Sequence, residues 1–209
     1  MEYIKPMDIE KRSFEIITAE LGDRVLDEEK APIIKRVIHT TADFEYADTL
    51  CFSDGVVERA LAALKAGAKI VTDTKMAWSG INKPGLERCG GQAYCYMSDV
   101  DVAEAAKSRG ITRAAVCMEK AAELAGPVII AVGNAPTALI RLDELIREGK
   151  IRPALVIGVP VGFVNVVESK EIIMKSGIPY IVARGRKGGS NVAASIVNAL
   201  LYLASPREN

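Results

Sequence analysis

Histidine is almost missing from these 209 residues: His39 is the only one. Aromatic side chains are scarce at 5%, while hydrophobic residues reach 49%, so the core must come from Ala, Val, Ile and Leu. That mixture suits buried parallel strands covered by alanine-rich helices. Net charge is lacking too. Lys plus Arg and Asp plus Glu stand at 27 each, which leaves no global field to attract nucleic acid or an anionic membrane. An anionic ligand then has to be held by local cations and backbone amides.

The four cysteines, Cys51, Cys89, Cys95 and Cys117, form no C-x-x-C pair, and one histidine completes no common zinc set. Reduced thiols in a cytoplasmic protein are the expectation. No run approaches the ~20 apolar residues that span a bilayer, and the first residues lack a signal peptide's apolar stretch. Nucleotide signatures are absent: no G-x-G-x-x-G follows a strand, and no G-x-x-x-x-G-K-[ST] occurs. A G-x-S-x-G elbow is absent as well, which argues against a serine hydrolase.

What is present is an alternation. An amphipathic helix is expected over 8–21, with Asp8 as its N-cap. A second starts near Asp27, carries Pro32 early and runs toward His39, and a third covers 55–66. Strands are expected at 68–73, 93–96, 113–117, 127–132, 154–158 and 179–183. The intervening helices fall at 99–109, 119–124, 136–148, 166–175 and 191–203. Short apolar strands alternating with helices imply right-handed βαβ units. The expected fold is a single α/β domain over 1–209: a doubly wound, mostly parallel, three-layer sheet with a helical N-terminal extension.

In such sheets ligands bind beyond the carboxyl ends of the strands. The loops expected there are polar and glycine-rich, and the run Arg184-Gly185-Arg186-Lys187-Gly188-Gly189-Ser190-Asn191 is the most informative. Cations precede a Gly-Gly-Ser that opens a helix, which makes an anion site for phosphate or carboxylate alike. Imidazole exchanges protons near neutral pH without special surroundings. Arg36 lies one helical turn before His39, so a cation and a proton donor share a face.

Read together, these segments resemble the precorrin-8X methylmutase family, also called cobalt-precorrin-8 methylmutase. The matching pieces are Ile4-Lys5-Pro6 with Ile9-Glu10 and Ser13-Phe14, then Arg36-Val37-Ile38-His39-Thr40-Thr41-Ala42-Asp43, then Gly133-Asn134-Ala135-Pro136-Thr137. Gly158-Val159-Pro160-Val161-Gly162-Phe163 with Glu168-Ser169-Lys170 follows, then Gly185-Arg186 and Gly188-Gly189-Ser190. The resemblance implies a homodimeric isomerase, with no cofactor and no metal, that moves a methyl group from C11 to C12 of a corrinoid tetrapyrrole. It puts the catalytic histidine on His39 and substrate contacts on Ser13 and Arg36. Thr40, Arg186, Lys187, Gly188, Gly189 and Ser190 are added as substrate-binding candidates, and Val159, Val161, Phe163 and Met76 as apolar walls. Asn165, Val166 and Lys187 depart from the pattern. A corrinoid carrier and an enzyme of a small phosphorylated or carboxylated metabolite remain the alternatives.

Overall fold

The computed structural model describes residues 6–205. Of the matching pieces above, Ile4 and Lys5 lie outside them. Two helices open the chain, α1 (Pro6–Leu21) and α2 (Ala31–Thr41), followed by one short turn of helix, α3 (Tyr46–Thr49). Then come β1 (Leu50–Phe52), α4 (Val56–Lys65), β2 (Lys69–Thr72), α5 (Lys75–Gly80), α6 (Lys83–Arg88), β3 (Gln92–Tyr94), α7 (Val100–Arg109) and α8 (Arg113–Ala121). The second half alternates strictly: β4 (Val128–Val132), α9 (Pro136–Arg147), β5 (Leu155–Gly158), α10 (Val166–Met174), β6 (Tyr180–Ala183) and α11 (Ser190–Ala204).

The strands form one sheet in the order β1-β6-β5-β4-β2-β3, parallel except where β1 pairs antiparallel with β6. Alternate residues of β4 face opposite ways, as the two-residue period of a strand requires. Ile129 and Ala131 pack with residues of α1, α2, α4, α5, α6 and α11, whereas Val128, Ile130 and Val132 pack with α7, α8, α9 and α10. Helices therefore cover both faces, giving the expected three layers. No helix among the described residues is long and apolar enough to cross a membrane.

Strand order decides where a ligand fits. From β2 the chain moves outward to β3, and from β4 it moves the other way to β5 and β6. The neighbours β2 and β4 thus flank the switch point, and the loops leaving their carboxyl ends diverge there.

The structure corrects three local expectations. Residues 113–117 are not a strand: with 118–121 they form α8, whose N-cap Thr112 accepts the Ala115 N–H on its side chain at 3.2 Å. A short apolar run has no period that separates strand from buried helix, and here the cap and the alanines favour helix. Asp8 is not the N-cap, because α1 already runs from Pro6; its carboxylate lies in the first turn, where free N–H groups still favour it. The edge strand β1 was not anticipated, since three residues carry no readable alternation. Thr112→Ala is expected to cost about 1 kcal/mol and to lower the thermal midpoint by roughly 2–4 °C. Scanning calorimetry reads this directly. An unchanged midpoint would remove the cap from the explanation of α8.

Candidate active site

Helix α2 buries Ile33, Ile34, Val37 and Ile38 against the core. The same winding puts Arg36, His39 and Thr40 on the opposite, accessible side. Ala42 ends the helix in the left-handed conformation, φ 53°, and its N–H donates to the Ile38 carbonyl at 2.7 Å. A non-glycine residue there is uncommon and mildly strained, and it turns the chain sharply just past His39.

Ser13 on α1 reaches across to α2. Its Oγ lies 2.8 Å from His39 Nδ1, leaving Nε2 for a ligand. Phe14 stacks on the imidazole, centroids 5.3 Å apart and planes 17° apart. The Arg36 guanidinium sits 4.7 Å from the Phe14 ring and 4.8 Å from that of Tyr202, and donates to Glu10 Oε1 at 2.7 Å. Ring packing and a hydrogen bond each restrict the imidazole, so its orientation is set before any ligand arrives.

A groove of about 260 Å³ runs beside this group, lined by Arg36, His39 and Thr40 together with Gly80 of α5 and Asn191, Ala194, Ser195, Asn198 and Tyr202 of α11. The α11 residues recur at steps of three and four, the signature of one helix face, and could have been found from that spacing. Thr40 Oγ1 donates back to the Arg36 carbonyl at 2.9 Å.

The 184–190 loop leads into the N-terminal end of α11, directly before the groove residue Asn191. Lys187 is tied to α2's neighbourhood: Nζ contacts Asp43 Oδ2 at 2.6 Å and Glu45 Oε2 at 2.7 Å. Those hydrogen bonds raise the lysine's pKa, and Lys187 in turn holds the Asp43 carboxyl below its usual range. Arg186 stacks over Phe163 at 5.5 Å. Ser190 Oγ is 2.7 Å from Thr74 Oγ1, joining the start of α11 to the start of α5.

Two expectations need correction here. The Gly189 N–H is not available to an anion, because it donates to the Val159 carbonyl at 2.8 Å. The N–H groups of Gly188 and Ser190 have no protein acceptor among the described residues. Val159 is fully buried and so walls no pocket, whereas Met76, Val161 and Phe163 are 72%, 47% and 81% exposed.

Two buried ions anchor these loops, and neither was singled out from sequence. Asp73, 1% exposed, follows β2 directly and accepts N–H bonds from Gly133 (2.8 Å), Asn134 (2.8 Å) and Ala135 (2.7 Å). It thereby ties together the two loops that diverge at the switch point. Burial pushes its pKa up, and the N–H donors oppose this. Gly133 is pressed against the start of α11: a Cβ there would lie 2.7 Å from the Ser190 Cα. The other ion, Lys170 of α10, donates to the carbonyls of Gly185 and Lys187. A charged residue straight after an apolar strand was the visible sign of Asp73; Lys170 gave none beyond its place in a matching segment.

Comparison with known proteins bears on this arrangement. A sequence model of the family described as precorrin-8X methylmutase matches residues 8–203. The cobalt-precorrin-8 methylmutase of Salmonella typhimurium is 48% identical over 209 residues, covering 97% of this chain and 98% of that protein. The enzyme of the same name from Priestia megaterium is 45% identical, covering 96% and 89%. Among solved structures, precorrin-8X methylmutase from Thermus thermophilus superimposes with a TM-score of 0.86 at 42% identity, covering 94% of this chain and 97% of that one. With the family model spanning nearly all described residues, the chain belongs to the precorrin-8X methylmutase family.

Proposed function

We propose that this protein is an isomerase of cobalamin biosynthesis that moves a methyl group from C11 to C12 of precorrin-8 or its cobalt form, giving hydrogenobyrinate or cobyrinate. A shift between adjacent ring carbons is a [1,5]-sigmatropic rearrangement. It needs no nucleophile and no hydride; it gains from a proton or strong hydrogen bond that moves π density in the macrocycle. The Ser13–His39 hydrogen bond beside an open groove carries this reading, because it orients an imidazole with one nitrogen free.

In this reading His39 is the general acid, Ser13 holds its ring, and Arg36 and Thr40 meet the substrate next to it. Arg186, Lys187 and the Gly188 and Ser190 amides receive the peripheral carboxylates, Lys187 exchanging Asp43 or Glu45 for a substrate oxygen. Each charge-assisted bond is worth about 1.5–3 kcal/mol. Such remote binding supplies the roughly 1–5 kcal/mol that ring puckering takes.

The protein acts as a cytoplasmic homodimer. A groove of about 260 Å³ falls below the roughly 300–1,000 Å³ of pockets for drug-sized ligands, and a corrinoid is larger than these. Exposed Met76, Phe163 and Val164 offer apolar surface for a second copy to cover. The test is parallel incubation with cobalt-loaded and cobalt-free precorrin-8. An unchanged mass with an altered absorbance spectrum is expected for at least one. A static spectrum for both would refute the assignment and favour a carrier.

A further inference from the structure

We propose that Lys170 is a positioning residue that aims the Arg186 and Gly188 amides of the 184–190 loop outward, toward a carboxylate arm of the substrate. The inference rests on the function proposed above and adds a residue that touches no substrate itself.

Lys170 is 1% exposed, and its ammonium donates to the carbonyls of Gly185 at 2.7 Å and Lys187 at 2.8 Å. A trans peptide is planar, so a C=O and the N–H of the following residue point in opposite directions. Drawing the Gly185 and Lys187 carbonyls inward therefore turns the Arg186 and Gly188 N–H groups outward. Those two N–H groups have no protein acceptor among the described residues. Between them, the Arg186 carbonyl accepts from the Gly162 N–H at 3.2 Å, which fixes the loop from a second side. Gly188 closes the packing: a Cβ there would lie 2.1 Å from the Val159 carbonyl oxygen, so only glycine lets the loop sit this low.

The charge matters beyond the two bonds. A neutral donor would suffice to tie two carbonyls, and a buried ammonium without a carboxylate is costly. Burial alone takes the pKa of Lys170 down to about 8, with no acidic partner acting on it. A cation against C=O polarises the whole peptide and strengthens its N–H as a donor. It also leaves positive charge beneath the loop, uncancelled by protein, where an anion is to bind.

Steady-state kinetics with cobalt-precorrin-8 separates this role from a structural one. Lys170→Met is expected to raise KM about tenfold, the equivalent of one weakened charge-assisted bond, with kcat within about threefold of the parent. Lys170→Arg, which keeps charge and paired donors, is expected to return KM to within about threefold. Should the Met variant not fold, Lys170→Gln takes its place, with a KM rise in the same direction. A folded Met or Gln variant with the parental KM, or one losing kcat alone, overturns the proposal. If the parent itself fails to convert precorrin-8, the proposed function falls instead. The loop is then read by deuterium exchange over residues 184–190, which must quicken in the Met or Gln variant; unchanged exchange overturns the role of Lys170.

Discussion

His39→Ala is expected to lower kcat by ~10²–10⁴-fold, the usual contribution of a positioned general acid, while product affinity stays within about threefold. The imidazole is exposed, so its loss opens no cavity in the core. Its neighbours Ser13 and Phe14 belong to α1 and keep their backbone, and Arg36 keeps its bond to Glu10. In the proposed reading the carboxylate arms are held by other residues, so the substitution should leave the macrocycle seated and remove only its proton source. Single-turnover absorbance on substrate-saturated protein measures the step without product release. A variant rate within tenfold of the parent would show that the proton comes from elsewhere.

Asp73→Ala should be the most destabilising single change at the site. It removes the acceptor of three backbone N–H bonds at once, two of them on Oδ2. An unsatisfied buried N–H costs about 1–3 kcal/mol. Gly133 is buried, while Asn134 is exposed and can turn to water, so the sum is held to about 3 kcal/mol. For a chain of this length that lowers the thermal midpoint by roughly 6–12 °C. Activity should fall further than the fold does, because Gly133 abuts the Ser190 backbone and the whole switch-point crevice shifts with it. Calorimetry and turnover on the same sample test both halves. A midpoint within about 2 °C of the parent would mean that water replaces the carboxylate and the loops stand without it.

Both outcomes bear on how the site is built. In the proposed reading the proton donor His39 sits on the exposed side of α2, where folding is expected to tolerate its loss, whereas Asp73 and Lys170 are buried beneath the loops and are expected to hold their shape. Arg36 combines the roles: it lines the groove, yet it is clamped between two rings and bonded to Glu10.

The sequence by itself determined the α/β alternation, five of the six strands among the described residues and most helices, because long apolar periods are local properties of the chain. It also placed His39 and Arg36 on one face of α2 and marked the glycine-rich loop before α11, since helical spacing and backbone freedom need no partner. It misread 113–117, where a short apolar run is equally at home in a buried helix. It missed β1, which exists only because β6 offers an edge. Tertiary structure alone decided which side chains meet across distant segments: Ser13 with His39, Lys187 with Asp43, Lys170 with the carbonyls of a loop that follows it by fifteen residues. It also turned the Gly189 N–H to the Val159 carbonyl, away from any anion. Such pairings depend on how α1, α2, α10 and α11 pack on the sheet, and packing is a property of surfaces in contact that no local pattern encodes.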